Sequence, residues 1–120
     1  MSAKKIVQEF YKSDALIDSQ LIKKYLHPEI LLDWQSSKGF LQLNHKAILK
    51  LADDLSKAYI RSKSQVTQIL QDGNRVAVHY SHYIKTIENP REEVLLAHFC
   101  VIWELKDNLL YRGYQLSQIP

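Results

Sequence analysis

Three long alternating segments, separated by strong turn signals, fill the second half of the chain and limit its fold more than any other feature. Asp72-Gly73 is a hairpin signal, Pro90 sits in the turn ENPREE, and KDN follows at 106 to 108. Around these turns run a strand from Arg75 to about Ile87, then VLLAHFCVIWEL, then LLYRGYQLS. Strand side chains alternate between faces, so Val76, Val78, Tyr80, His82 and Ile84 share one face and Ala77, His79, Ser81 and Tyr83 the other. One histidine therefore falls among apolar neighbours.

The first half reads as helices. Ile6, Val7, Phe10 and Tyr11 recur at helical spacing, as do Leu21, Ile22, Tyr25 and Leu26 after the capping candidates Asp18 and Ser19. His27-Pro28 is expected to stop that second helix. ILLDWQSS reads as a short strand with Ile30, Leu32 and Trp34 on one face, and Gly39 marks a loop. Asn44 caps a third helix whose apolar positions are Ala47, Ile48, Leu51, Ala52, Leu55 and Tyr59. Residues 64 to 71 lead into the Asp72-Gly73 turn. The order α-α-β-α-β-β-β-β predicts three helices against one largely antiparallel sheet, a single α+β domain over residues 1 to 120.

Composition narrows the function classes. Hydrophobic residues make up 46% and charged residues 24%, the balance of a globular chain that can fill a core. The net charge of +3 comes from scattered Lys and Arg without interleaved aromatics, so nucleic acid is not an expected partner. No apolar run is long enough to cross a bilayer or follows the early lysines as a leader would, so no membrane association is expected and a cytoplasmic location is the default. The single Cys100 cannot form an internal disulfide, and no Cys/His cluster has metal-ligand spacing. No metal or cofactor is expected.

Four marks together resemble the NTF2-like superfamily, most closely its SnoaL-like branch, related to polyketide cyclases and ketosteroid isomerases. They are FYKSDALIDSQLIKKYLHPEILLDW, NHKAILKLADDL, DGNRVAVHYSHY and VIWELKDNLLYRGY, and the resemblance spans roughly residues 4 to 118. It implies a cystatin-like cone in which a strongly bent sheet wraps the helices around an apolar pocket. It further implies that Leu32, Trp34, Tyr80, His82 and Phe99 point inward, with Val101, Trp103, Tyr111, Gly113 and Gln115. If Glu88 and Glu93 bracket the first turn, His82 lies opposite Phe99, Tyr80 opposite Val101 and Val78 opposite Trp103. For the last hairpin a three-residue KDN turn with Asn108 left-handed sets Phe99 against Gln115. A two-residue turn would instead send Leu110, Arg112, Tyr114 and Leu116 inward, and burying an unpaired Arg112 is costly.

The chemistries the resemblance brings with it lack their residues here. Where ketosteroid isomerases carry a base and oxyanion donors, this chain has Trp34, Phe10 and Val101, although Tyr11 could offer a hydroxyl if the first helix were rotated. Where limonene-epoxide hydrolases carry paired carboxylates, an arginine and water-placing groups, it has His82 and Gln115, Tyr80, and Leu32 with Trp34.

His82 is then the one inward group that titrates near neutrality. It is a buried imidazole satisfied by Tyr80 or Gln115, a ligand contact, or a general acid or base. His79 and His98 are expected to face outward, and His79 and His82 lie on opposite faces, unable to share a metal. Asp33 is expected to face away from the pocket, His27 to end a helix and His45 to be exposed. Tyr83, Cys100, Ile102, Tyr114 and Leu116 would make the outer sheet face apolar, which predicts a homodimer through that face. The function expected is the binding of a small apolar molecule. The alternative is an isomerase, cyclase or hydrolase using His82 as acid or base.

Overall fold

The computed structural model describes residues 2 to 120. Helix α1 (Ala3–Lys12) starts where the Ser2 hydroxyl accepts from the Lys5 amide, and it buries the stripe Ile6, Val7, Phe10 and Tyr11. A 3₁₀ turn (Ala15–Ile17) leads to Asp18, whose carboxylate caps α2 (Ser19–Ile22) by accepting from the Gln20 and Leu21 amides. The second helix is shorter than its periodicity predicts. Leu26 already pairs with Leu110, whose amide donates to the Tyr25 carbonyl, so sheet pairing wins over helical spacing.

Strand β1 (Leu26–Ser36) therefore carries His27 and Pro28, with Pro28 inside the irregular step between Leu26 and Leu31, where its missing donor removes no ladder bond. His27 is a strand residue, not a helix end. Its Nδ1 accepts from the Glu29 amide and its Nε2 lies 3.8 Å from the Asp107 carboxylate.

A strand replaces the loop expected after Gly39. Strand β2 (Gly39–Asn44) pairs antiparallel with β1 through a turn at Ser37-Lys38, setting Leu41 beside Trp34 and Leu43 beside Leu32. Gly39, at φ +117°, takes a conformation that a side chain would strain. Helix α3 (His45–Ala58) begins at Asn44, whose side chain accepts from the Ala47 amide, and it buries Ile48 and Ala52. Strands β3 (Tyr59–Asp72), β4 (Arg75–Thr86), β5 (Val94–Lys106) and β6 (Leu109–Gln118) follow. The sheet order is β2-β1-β6-β5-β4-β3, and only the β1–β6 pairing is parallel. Three helices on one mostly antiparallel sheet is the α+β architecture expected.

Both hairpin registers differ from expectation while most of the facings survive. In β4–β5, Tyr80 pairs with Phe99, Val78 with Val101 and Val76 with Trp103, a shift of two residues. An even shift moves partners without exchanging faces. The last hairpin closes on two residues, Asp107 and Asn108, both at positive φ as in a type I′ turn. A bulge then sets Glu104 against Arg112 and Leu105 against Leu110, which leaves Tyr111 as the extra residue on β6. Gly113 and Gln115 consequently face inward, Val101 pairs with Gln115, and Phe99 pairs with Ser117. Leu110, fully buried, takes the inward place expected for Tyr111.

The core lies between the helices and the inner face of β1, β6, β5 and β4, centred on Phe10, Ile30, Tyr80, Val78, Val101 and Leu110. Among the described residues no helix is long and apolar enough to cross a membrane.

Candidate functional site

The inner sheet face and the helices leave a cavity of about 150 Å³. Its floor is aromatic. Tyr80 and Phe99, cross-strand partners on β4 and β5, stack with ring centroids 5.0 Å apart, and Phe99 also meets Trp34 at 6.2 Å and His82 at 6.1 Å. Tyr11 enters from α1, with its ring 4.6 Å from that of Tyr80, and α3 adds Ile48, Leu51, Ala52 and Leu55.

The polar groups on this wall fall into four sets. The Trp103 indole N–H donates to the Tyr11 hydroxyl at 2.8 Å, joining α1 to β5 inside the core. Burial pushes both Tyr11 and Tyr80 well above the usual phenol pKa, and at Tyr80 the neighbouring phenol adds to the effect. Both stay neutral at any physiological pH.

The second set is His82, with 3% of its surface exposed. Its Nε2 lies 2.6 Å from Ser62 Oγ on β3. Burial lowers its pKa to about 4, so the ring is neutral at pH 7. The other ring nitrogen, Nδ1, has no hydrogen-bond partner among the described residues and is not sealed off by them, which leaves it to the cavity that His82 lines. Because a serine hydroxyl both donates and accepts, the pair presents Nδ1 as an N–H in one tautomer and as a lone pair in the other.

The third set is Gln115, 9% exposed, whose amide likewise finds no partner among the described residues and lines the same cavity. At the outer end, Trp34 Nε1 donates to Ser117 Oγ at 2.8 Å. No Asp or Glu lines the cavity, and no three His, Cys, Asp or Glu side chains converge as metal ligands among the described residues.

The structure brings together most of the residues expected at a pocket. Leu32, Trp34, Tyr80, His82, Phe99, Trp103 and Gln115 all line the cavity. Val101 is buried beneath it without lining it, and Tyr111 lies elsewhere, against His27 and under Arg112. His82 bonds neither Tyr80 nor Gln115. Its partner Ser62 was missed because it lies on the strand across from β4, next to but not opposite His82 in register, and nothing local in YIRSKSQV marks it. Tyr11 needs no helix rotation to reach the cavity, since the i, i+3, i+4 stripe of α1 already faces it.

Other histidines do not line the cavity. His79 is held by Thr67 on the outer face, His98 Nδ1 lies 2.9 Å from Ser81 Oγ, and His45, expected to be exposed, is half-buried at the start of α3. Asp33 accepts from the Gln42 amide at 2.9 Å and pairs with outward Tyr114.

Solved structures with the same arrangement decide the fold. IdmH of Streptomyces antibioticus, a candidate polyketide cyclase, superposes with a TM-score of 0.76 over 98% of this chain and 92% of its own, at 11% identity. A Burkholderia pseudomallei NTF2-like protein of unknown function gives 0.67 over 96% and 90%, at 14% identity. The chain has the NTF2-like fold. A Catenulispora acidiphila protein with a ketosteroid isomerase-like fold, solved with trimethylamine, gives 0.70 over 95% and 85% at 7% identity. No family model and no curated protein matches the sequence. The NTF2-like cone thus rests on shape, and its chemistry on the residues above.

Proposed function

We propose that this protein binds a small, mainly apolar molecule carrying one polar group inside the cone. The observation that supports this reading is the unpartnered polarity of the cavity wall. His82 Nδ1 and the Gln115 amide stand in an otherwise apolar chamber with no partner among the described residues. Neither group is sealed off, so a ligand hydroxyl or carbonyl can reach both and complete them. We further propose a homodimer through the outer sheet face and a cytoplasmic location.

A reading as an isomerase, cyclase or hydrolase has one observation in its favour. An imidazole with a pKa of about 4, anchored by Ser62, is an unprotonated base at neutral pH. It is a weak base, however, and no carboxylate lines the cavity to share the proton transfer. Binding is therefore the favoured reading.

The test is a titration followed by intrinsic fluorescence and melting temperature, using cyclic ketones, phenols and the apolar controls benzene and toluene as probes. Trp34 and Trp103 both line the cavity, so a bound probe should change emission saturably and raise the melting temperature by mass action. His82→Gln should weaken probes that carry a polar group and spare those that do not. Unchanged emission and unchanged melting across the panel would reject the reading.

A further inference from the structure

A second hollow of about 410 Å³ lies against the first, on the far side of Trp34. Trp34, Leu55, Leu96 and Phe99 border both. The outer hollow is open and continues over Leu41 on β2 and Ile119 beyond β6, whose side chains are 54% and 59% exposed. The two spaces differ in lining. The inner one carries the unpartnered His82 and Gln115 groups, whereas the outer one offers an apolar track between the β1–β2 turn and the end of β6.

Size sets the limit on the inner occupant. An apolar cavity of about 150 Å³ holds a molecule the size of benzene, so fused ring systems exceed the inner chamber. The collar between the hollows contains two flexible leucines and two aromatic rings whose centroids are 6.2 Å apart. Such a collar suits a methylene chain and obstructs a second ring.

We propose that the ligand is bipartite: a single ring with a polar substituent in the inner chamber, and an unbranched alkyl tail running out past Trp34 onto Leu41 and Ile119. A para-alkylphenol has this form, with its hydroxyl toward His82 and Gln115 and its tail in the outer hollow. The proposal rests on the binding reading above and adds the shape and class of the ligand.

The experiment is calorimetric titration of the full chain with phenol, 4-ethylphenol, 4-butylphenol and 4-hexylphenol, and with 1-pyrenol as the fused-ring comparison. Affinity is expected to rise roughly two- to fourfold per added methylene once the tail reaches the outer hollow, and 1-pyrenol to bind more weakly than phenol. The double variant Leu41→Ser with Ile119→Ser alters exposed side chains. It should leave phenol affinity unchanged and flatten the rise along the series. If phenol binds but the series is flat, if 1-pyrenol binds more tightly than 4-hexylphenol, or if the double variant keeps the rise, the bipartite ligand is wrong and the binding reading stands. If no member binds and cyclic ketones fail as well, the binding reading itself falls.

Discussion

Ser62 Oγ and His82 Nε2 lie 2.6 Å apart inside the protein, joining β3 to β4 on the wall of the cavity. Desolvation keeps the imidazole neutral down to a pKa of about 4, against 6.5 for the unfolded chain. The unfolded state then binds more protons below pH 6.5, so stability is complete above that value and falls as the pH drops from 6.5 towards 4. The depression corresponds to roughly 3 kcal/mol lost across that window. Denaturant unfolding at successive pH values should show the slope in the wild type and lose that component in His82→Gln. An equal slope in both would place the acid sensitivity elsewhere.

Ser62→Ala tests the other half of the pair. The change leaves His82 Nε2 buried without a partner, which costs about 1 to 3 kcal/mol. If His82 contacts the ligand, the variant should also weaken polar probes by freeing the ring to turn. Loss of stability with unchanged probe affinity would make the pair purely structural.

Tyr11→Phe removes only the hydroxyl that accepts from Trp103 Nε1. The indole N–H then loses its buried partner, and the expected loss is again about 1 to 3 kcal/mol, read as a lower denaturation midpoint at constant m. A neutral result would mean that the indole recovers a partner by relaxation.

Gly113 shows why the inner face needs one residue without a side chain. A Cβ there would stand 2.6 Å from Leu32 Cδ1 and 2.6 Å from Trp103 Cζ3. The leucine tip can move, but the indole is pinned through Tyr11. Gly113→Ala should therefore cost about 1 to 3 kcal/mol as overpacking, measured by thermal unfolding. Trp103→Phe in the same background should recover part of the loss if the indole is the obstruction.

How far the fold and the cavity were legible in the sequence follows from period and parity. The stripe of α1, the Asn44 cap of α3 and the alternation of β4 are local signals, and each appears where its residues place it. Partner identity is not local. Tyr80 pairs with Phe99 and not Val101, because the length of the 87 to 93 turn sets the register and alternation is blind to a shift of two. Tyr111 was misplaced because a bulge on β6 adds one residue at that point. Strand β2 was hidden by Gly39, read as a loop, although Leu41 and Leu43 carried the alternation that pairs them with Trp34 and Leu32. Seven cavity-lining positions could be named in advance, but Ser62 could not, since its role exists only once β3 lies beside β4.

The outer sheet face gives the last prediction. Ile102 and Tyr114 are cross-strand partners, as are Cys100 and Leu116, and all four lie on the solvent side of β5 and β6. Ile102 is 46% exposed, Tyr114 53% and Leu116 60%, whereas half-buried Tyr83 lies farther along β4, opposite Leu95. Apolar side chains set side by side on an exposed sheet face lose favourable burial while wet, and a second copy related by a twofold axis covers the same patch on both partners. The expected state is a homodimer across the micromolar range in sedimentation equilibrium. Leu116→Arg would place two like charges in that contact and should give a monomer with an unchanged far-ultraviolet spectrum, since the side chain supports nothing beneath it. A wild-type monomer at every concentration would remove the dimer, and a dimer that survives Leu116→Arg would move the interface to another face.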